Sequence, residues 1–135
     1  MHKPVETIHD DAEVLSVAEQ YPKAFRTMDA ELARGAFLPT ASKLGFFYDY
    51  DSEAWMPSVS TEYSEIEAWV LEHNKDGVMP DTPPKATLLD RQDKIAVVKL
   101  ELEWTPGKWG CDYVLLVKES GRWRISHSLW QSVPT

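Results

Sequence analysis

At 135 residues the chain has room for one domain with a single core, and too little for two of ordinary size. Its 43% hydrophobic and 27% charged residues exclude a disordered chain, and 6 Trp, 5 Tyr and 4 Phe require a core to bury them. A formal net charge of −8 with no Lys/Arg cluster excludes nucleic acid and acidic membrane surfaces as natural partners, because neutralising phosphates takes clustered cations.

Residues 1–9 read as a loose lead-in to one domain over 10–135. Asp10 or Asp11 is placed to cap a first helix, in which Val14, Leu15, Val17, Ala18, Tyr21, Phe25 and Met28 recur at three- and four-residue spacing. Pro22 predicts a kink or a break beside Tyr21, since proline removes a hydrogen bond and crowds the preceding turn. Asp29 begins a short second helix through Leu32, Ala33, Ala36 and Phe37, ended by Pro39. Residues 40–60 suggest a short strand followed by a mobile loop. Thr61, Glu62 and Glu65 mark the start of a third helix with Ile66, Trp69, Val70 and His73, closed by Asn74 and Gly77. The segment DTPPK resets the chain, and ATLLD is the first strand of a meander.

From residue 94 the pattern has period two. DKIAVVKLELEW, WGCDYVLLVK and RWRISHSLWQ form three strands joined by TPGK and ESG. A tight turn at ESG sets Val117 opposite Trp123, hence Tyr113 opposite His127, and Trp104 opposite Trp109 sets Leu100 beside Tyr113. The inner face then carries Leu100, Trp104, Trp109, Tyr113, Trp123 and His127. Asp112 falls on the outer face as a structural or interface residue, with Val97, Val114, Leu116 and Trp130 as its apolar neighbours. The expected fold is α+β: a cone-like curved antiparallel sheet packed on about three N-terminal helices. One cysteine, Cys111, permits neither an intramolecular disulfide nor a cysteine zinc site and fits a cytoplasmic setting. No run reaches the roughly 20 apolar residues of a membrane span, and the N-terminus has no signal-peptide apolar stretch.

Over residues 12–131 the chain resembles the nuclear transport factor 2-like superfamily, above all its SnoaL-like and Putative lumazine-binding branch. AEQYPKAFRTMDAELARGAFLPTA is similar to the family's two opening helices, and DYVLLVKESGRWRISHSLW to its closing hairpin. The fold hosts isomerases, dehydratases, hydrolases, cyclases and non-catalytic modules, so function has to come from the site. Ketosteroid isomerases of this fold use a helix-one tyrosine and a strand carboxylic acid as oxyanion donors, with a second carboxylate as base. By that resemblance Tyr21 takes the tyrosine position, Tyr113 the position of the acid, and the base position falls near Gly45, which cannot transfer a proton. Relatives of this type often pair through the sheet, which implies a homodimer through the outer face.

The candidate catalytic residues are therefore His127, Tyr113 and Tyr21, and the candidate ligand-binding residues Trp104, Trp109, Trp123, Leu100 and Phe25. His127 suits acid–base work near neutral pH, and it equally suits a half-buried histidine satisfied by Tyr113. Asp49 and Asp51 could bring a carboxylate to the pocket mouth, or form a solvated acidic loop. Four dispersed histidines show no metal-ligand spacing, and there is no P-loop, GxGxxG or GxSxG, so no metal and no cofactor is expected. The leading expectation is a pocket for a small apolar or aromatic metabolite. A cofactor-independent acid–base enzyme and a structural dimerisation module are the alternatives.

Overall fold

The computed structural model describes residues 5–77, 79–80 and 82–134. Three helices, α1 (Val5–Thr27), α2 (Ala30–Ala36) and α3 (Tyr63–His73), accompany eight strands: β1 (Phe37–Phe46), β2 (Tyr48–Asp49), β3 (Ala54–Trp55), β4 (Val59–Glu62), β5 (Lys85–Arg91), β6 (Ile95–Thr105), β7 (Lys108–Glu119) and β8 (Arg122–Val133). Six strands form one sheet in the order β4-β1-β8-β7-β6-β5. β1 runs parallel to β8 while the other pairs are antiparallel, so the sheet is mixed and not wholly antiparallel.

The helices follow the apolar spacing, with different ends. Of the expected lead-in, residues 1–4 lie outside the described residues, and α1 already begins at Val5, ahead of the Asp10/Asp11 cap. α1 also runs through Pro22 as one helix, so of the kink or break expected beside Tyr21 the break does not occur. Asp29 caps α2 as expected, its Oδ1 accepting from Leu32 N at 3.0 Å. α2 stops at Ala36, and Phe37 opens β1 instead of closing the helix; Pro39 sits where the pairing of β1 with β8 is interrupted, which spares its missing N–H a role in the ladder. At the start of α3, Glu65 Oε1 accepts from Glu62 N at 3.0 Å. Residues 48–55 form the small β2–β3 ribbon in place of a loop. Its turn is held by Asp49, which accepts from Asp51 N at 3.0 Å and Ser52 Oγ at 2.9 Å.

The core lies between α1 and the inner sheet face. Val14, Ala18, Tyr21 and Phe25 of α1 meet Val98, Leu100, Leu102, Val114, Leu116, Trp123 and Ile125, all buried. Each large apolar side chain there contributes about 1.5–3 kcal/mol through area removed from water. At the far end Asp10 pins α1 to the sheet: its Oδ1 accepts from Trp123 Nε1 and Lys118 Nζ, both at 2.9 Å, and Arg91 lies 3.9 Å from Oδ2.

The register differs from the expected one by a single residue, and three local features cause it. The β7–β8 turn uses two residues, Ser120 and Gly121, both at positive φ (52° and 76°), so Glu119 faces Arg122 and Lys118 faces Trp123. In the β6–β7 pair Trp104 is left unpaired between Glu103 and Thr105, which brings Leu100 opposite Asp112. In β8 Ser126 is left out between Ile125 and His127, so Ser128 and Trp130 turn inward after it. A one-residue slip exchanges the faces of a strand. Asp112 is consequently fully buried, Val114 and Leu116 lie in the core, and Trp130 faces inward; Tyr113 and His127 are on the outer face.

Candidate functional site

Two glycines shape the concave side of the sheet. Gly45 on β1 pairs with Trp130 on β8, and a Cβ at Gly45 would lie 2.0 Å from the indole; a Cβ at Gly110 on β7 would lie 2.7 Å from the Trp104 ring. Each indole thus lies flat on backbone that only glycine leaves clear. Tyr21 and Phe25 complete the wall: their rings meet edge-on at 5.3 Å, and Trp104 lies 5.2 Å and 5.6 Å from them. The space enclosed is about 330 Å³, within the range of small-molecule pockets. Half-exposed Phe47, Tyr50 and Trp69 stand at its opening.

The floor is polar. Asp112 Oδ2 accepts from Tyr21 Oη at 2.8 Å and from Ser128 Oγ at 3.0 Å. Its Oδ1 is buried with no hydrogen-bond partner among the described residues; the Trp104 indole lies near without meeting hydrogen-bond geometry. Burial raises the Asp112 carboxyl above the ordinary carboxylate range, against the opposing pull of Lys43 and the two hydroxyls. Burial first, and the adjacent Asp112 charge second, raise Tyr21 well above its usual value, so it stays a donor.

Lys43, two residues before Gly45 on the same face of β1, extends into this space. Its Nζ lies 4.6 Å from the Tyr21 ring centroid, 4.7 Å from Phe25 and 5.8 Å from Trp130. No hydrogen bond or ion pair joins it to another described residue. Burial lowers its pKa to about 8, with Asp112 acting in the other direction. His73 Nε2 donates to the Trp104 carbonyl at 2.9 Å, and burial holds the His73 pKa below its normal value. Among the described residues, no group of three His, Cys, Asp or Glu is arranged to hold a metal ion.

Of the expected site residues, the structure brings together Tyr21, Phe25, Trp104 and Trp109 around the cavity. Leu100 and Trp123 are buried in the core outside its lining, Trp123 being tied to Asp10 at the opposite end. Tyr113 and His127 are not in the pocket. Tyr113 is 42% exposed on the outer face, and His127 Nδ1 hydrogen-bonds with Ser42 Oγ at 3.0 Å there. Asp49 is occupied by its own turn. Asp112, one residue from the position given to the acid, meets Tyr21 instead of Tyr113. Lys43, Trp130 and His73 were not recognised as site residues; a lone cation in the apolar run of TASKLGFF was the available sign of Lys43.

A family model described as Putative lumazine-binding matches residues 9–131. Among solved structures, an NTF-2-like protein of unknown function from Silicibacter pomeroyi DSS-3 superposes with a TM-score of 0.72 at 20% identity, covering 94% of this chain and 98% of that one. A cystatin-like-fold protein of unknown function from Nostoc punctiforme PCC 73102 gives 0.68 at 12% identity, covering 100% and 97%. A ketosteroid isomerase-like protein from Erwinia carotovora atroseptica SCRI1043 gives 0.62 at 16% identity, covering 92% and 96%. These identities show the nuclear transport factor 2-like fold and nothing finer. Among curated proteins, none matches the chain.

Proposed function

The chain belongs to the Putative lumazine-binding family, and on that premise we propose that its cavity binds one planar, carbonyl-bearing aromatic metabolite, polar edge inward against Asp112 and Lys43. The observation that carries the reading is the unmet Asp112 Oδ1 at the floor of an aromatic-walled cavity. A buried acceptor left unpaired costs on the order of 1–3 kcal/mol, which a ligand donor would recover. The Lys43 ammonium supplies the matching donor for a carbonyl, and the rings of Trp104 and Trp130 offer faces for stacking. Titrating lumazine and 2-naphthaldehyde against tryptophan fluorescence tests this. Saturable quenching is expected, with affinity lowered about tenfold in Asp112→Asn, the worth of one buried hydrogen bond. Absence of saturable quenching by either ring would remove the reading.

One observation favours an acid–base enzyme as the second reading. Asp112 and Lys43, in the same cavity, have pKa values displaced toward each other, as in sites that hold an acid and a base ready at neutral pH. Lys43 would then supply the base that Gly45 cannot, with Tyr21 and Asp112 on the acid side.

The partner and setting belong to the same proposal. The outer face exposes Tyr113, Leu115 and Leu129 beside half-buried Val97, a patch suited to the same face of a second copy. Light scattering at micromolar concentration should give twice the chain mass, and a monomer would rule the dimer out. No described helix is long and apolar enough to cross a membrane, and the cytoplasmic setting rests on the single Cys111.

A further inference from the structure

Lys43 is an unusual resident for an aromatic box. A cation serving only the fold would find a carboxylate, as Lys118 does with Asp10, whereas Lys43 Nζ stands among three rings with no hydrogen bond or ion pair to a described residue. The titratable groups that line the same cavity are Asp112 and exposed Lys108 on β7, Tyr21 on α1, His73 on α3, and Tyr48 and Tyr50. Asp112 turns an unpartnered oxygen into the burial that surrounds them. An amine with no hydrogen bond and an acid with one oxygen unbonded to any described residue, both lining one small cavity, are the two groups that carbonyl condensation requires.

We propose that Lys43 is a carbonyl-trapping amine, whose Nζ condenses with the aldehyde or ketone group of an aromatic ligand in the cavity to form an imine, with Asp112 as proton donor and acceptor. The proposal rests on the reading that the cavity holds a carbonyl-bearing aromatic ligand. The neutral Nζ gives its lone pair to the carbonyl carbon, forming the C–N bond, and the carbonyl π pair moves to oxygen, which takes a proton from Asp112. The nitrogen then returns a proton to the Asp112 carboxylate, leaving a carbinolamine. A second proton from Asp112 lets the hydroxyl depart as water while the nitrogen lone pair forms C=N. Loss of the remaining N–H proton to Asp112 restores the acid. Amine and carbonyl become imine and water, with no oxidant or reductant. A pKa near 8 in place of 10.5 gives Lys43 about a few hundredfold more free amine at pH 7 than an ordinary lysine has.

The test is reductive trapping of the full chain with 2-naphthaldehyde and sodium cyanoborohydride at pH 7, read by intact mass and peptide mapping, alongside tryptophan quenching. The expected result is one adduct, the mass of the aldehyde less its oxygen, on the peptide containing Lys43. Lys43→Arg should lose the adduct; the mapping on the unaltered chain stands even if that variant fails to fold. Quenching without an adduct, or label spread over exposed Lys23 and Lys85, overturns the imine and leaves the binding reading intact. No quenching and no adduct overturns both.

Discussion

Two buried aspartates hold the two ends of the molecule, and their surroundings make them opposites. Asp10, on α1, takes Trp123 and Lys118 on one oxygen and has Arg91 near the other; Asp112, on β7, takes two hydroxyls on one oxygen and no hydrogen bond from a described residue on the other. The Trp123 and Lys118 hydrogen bonds lower the Asp10 carboxyl below its ordinary value, whereas burial raises that of Asp112. Asp10 is a satisfied charge that fastens a helix to a sheet. Asp112 is a half-satisfied group lining a cavity, with one oxygen held by Tyr21 and Ser128 and the other left for the ligand we propose. Burial of an aspartate alone therefore identifies neither role; the count of met lone pairs and whether a cation bonds the carboxylate directly do.

The contrast is sharpest in stability. Asp10→Ala should cost about 3 kcal/mol, because it leaves the Trp123 indole and the Lys118 ammonium without their acceptor. Asp112→Asn should cost under about 1 kcal/mol, since the amide oxygen can still accept from Tyr21 and Ser128. Thermal denaturation of the two variants checks both, and equal losses would erase the distinction. A smaller effect is expected in acid. The lowered Asp10 pKa contributes stability that is fully present above the unfolded value near 3.8 and disappears as pH falls through the folded value. The raised Asp112 pKa works in the other sense, its burial cost easing as pH falls through the folded value toward that same unfolded value. Urea titrations between pH 3 and 6 should show Asp10→Asn with a flatter acid limb than the unaltered chain, and Asp112→Asn with a steeper one.

Much of the fold was legible in the chain. The apolar spacing of α1, the Asp29 cap, the Glu62/Glu65 start of α3 and the alternation of the last three strands are local properties, and each appears close to where the residues indicate. Half of the aromatic wall was legible too, because Tyr21, Phe25 and Trp104 lie on elements whose faces the pattern fixed. The polar floor was not. On β7 both parities are apolar, with Val114 and Leu116 on one and Tyr113 and Leu115 on the other, so alternation alone cannot choose which faces the core.

The sequence by itself determined the class of fold, its three helices and closing meander, and an aromatic-rich interior, because helix periodicity, caps and strand alternation act over a few neighbouring residues. Tertiary structure decided which carboxylate is inside. A two-residue turn at Ser120–Gly121 and unpaired residues at Trp104 and Ser126 depend on how whole strands fit together, and each shifts every later pairing by one. It also decided the place of Lys43. β1 lies parallel to β8, a pairing between segments more than 80 residues apart, and only that pairing sets Gly45 beneath Trp130 and so directs the amine two residues earlier toward Asp112 and Tyr21.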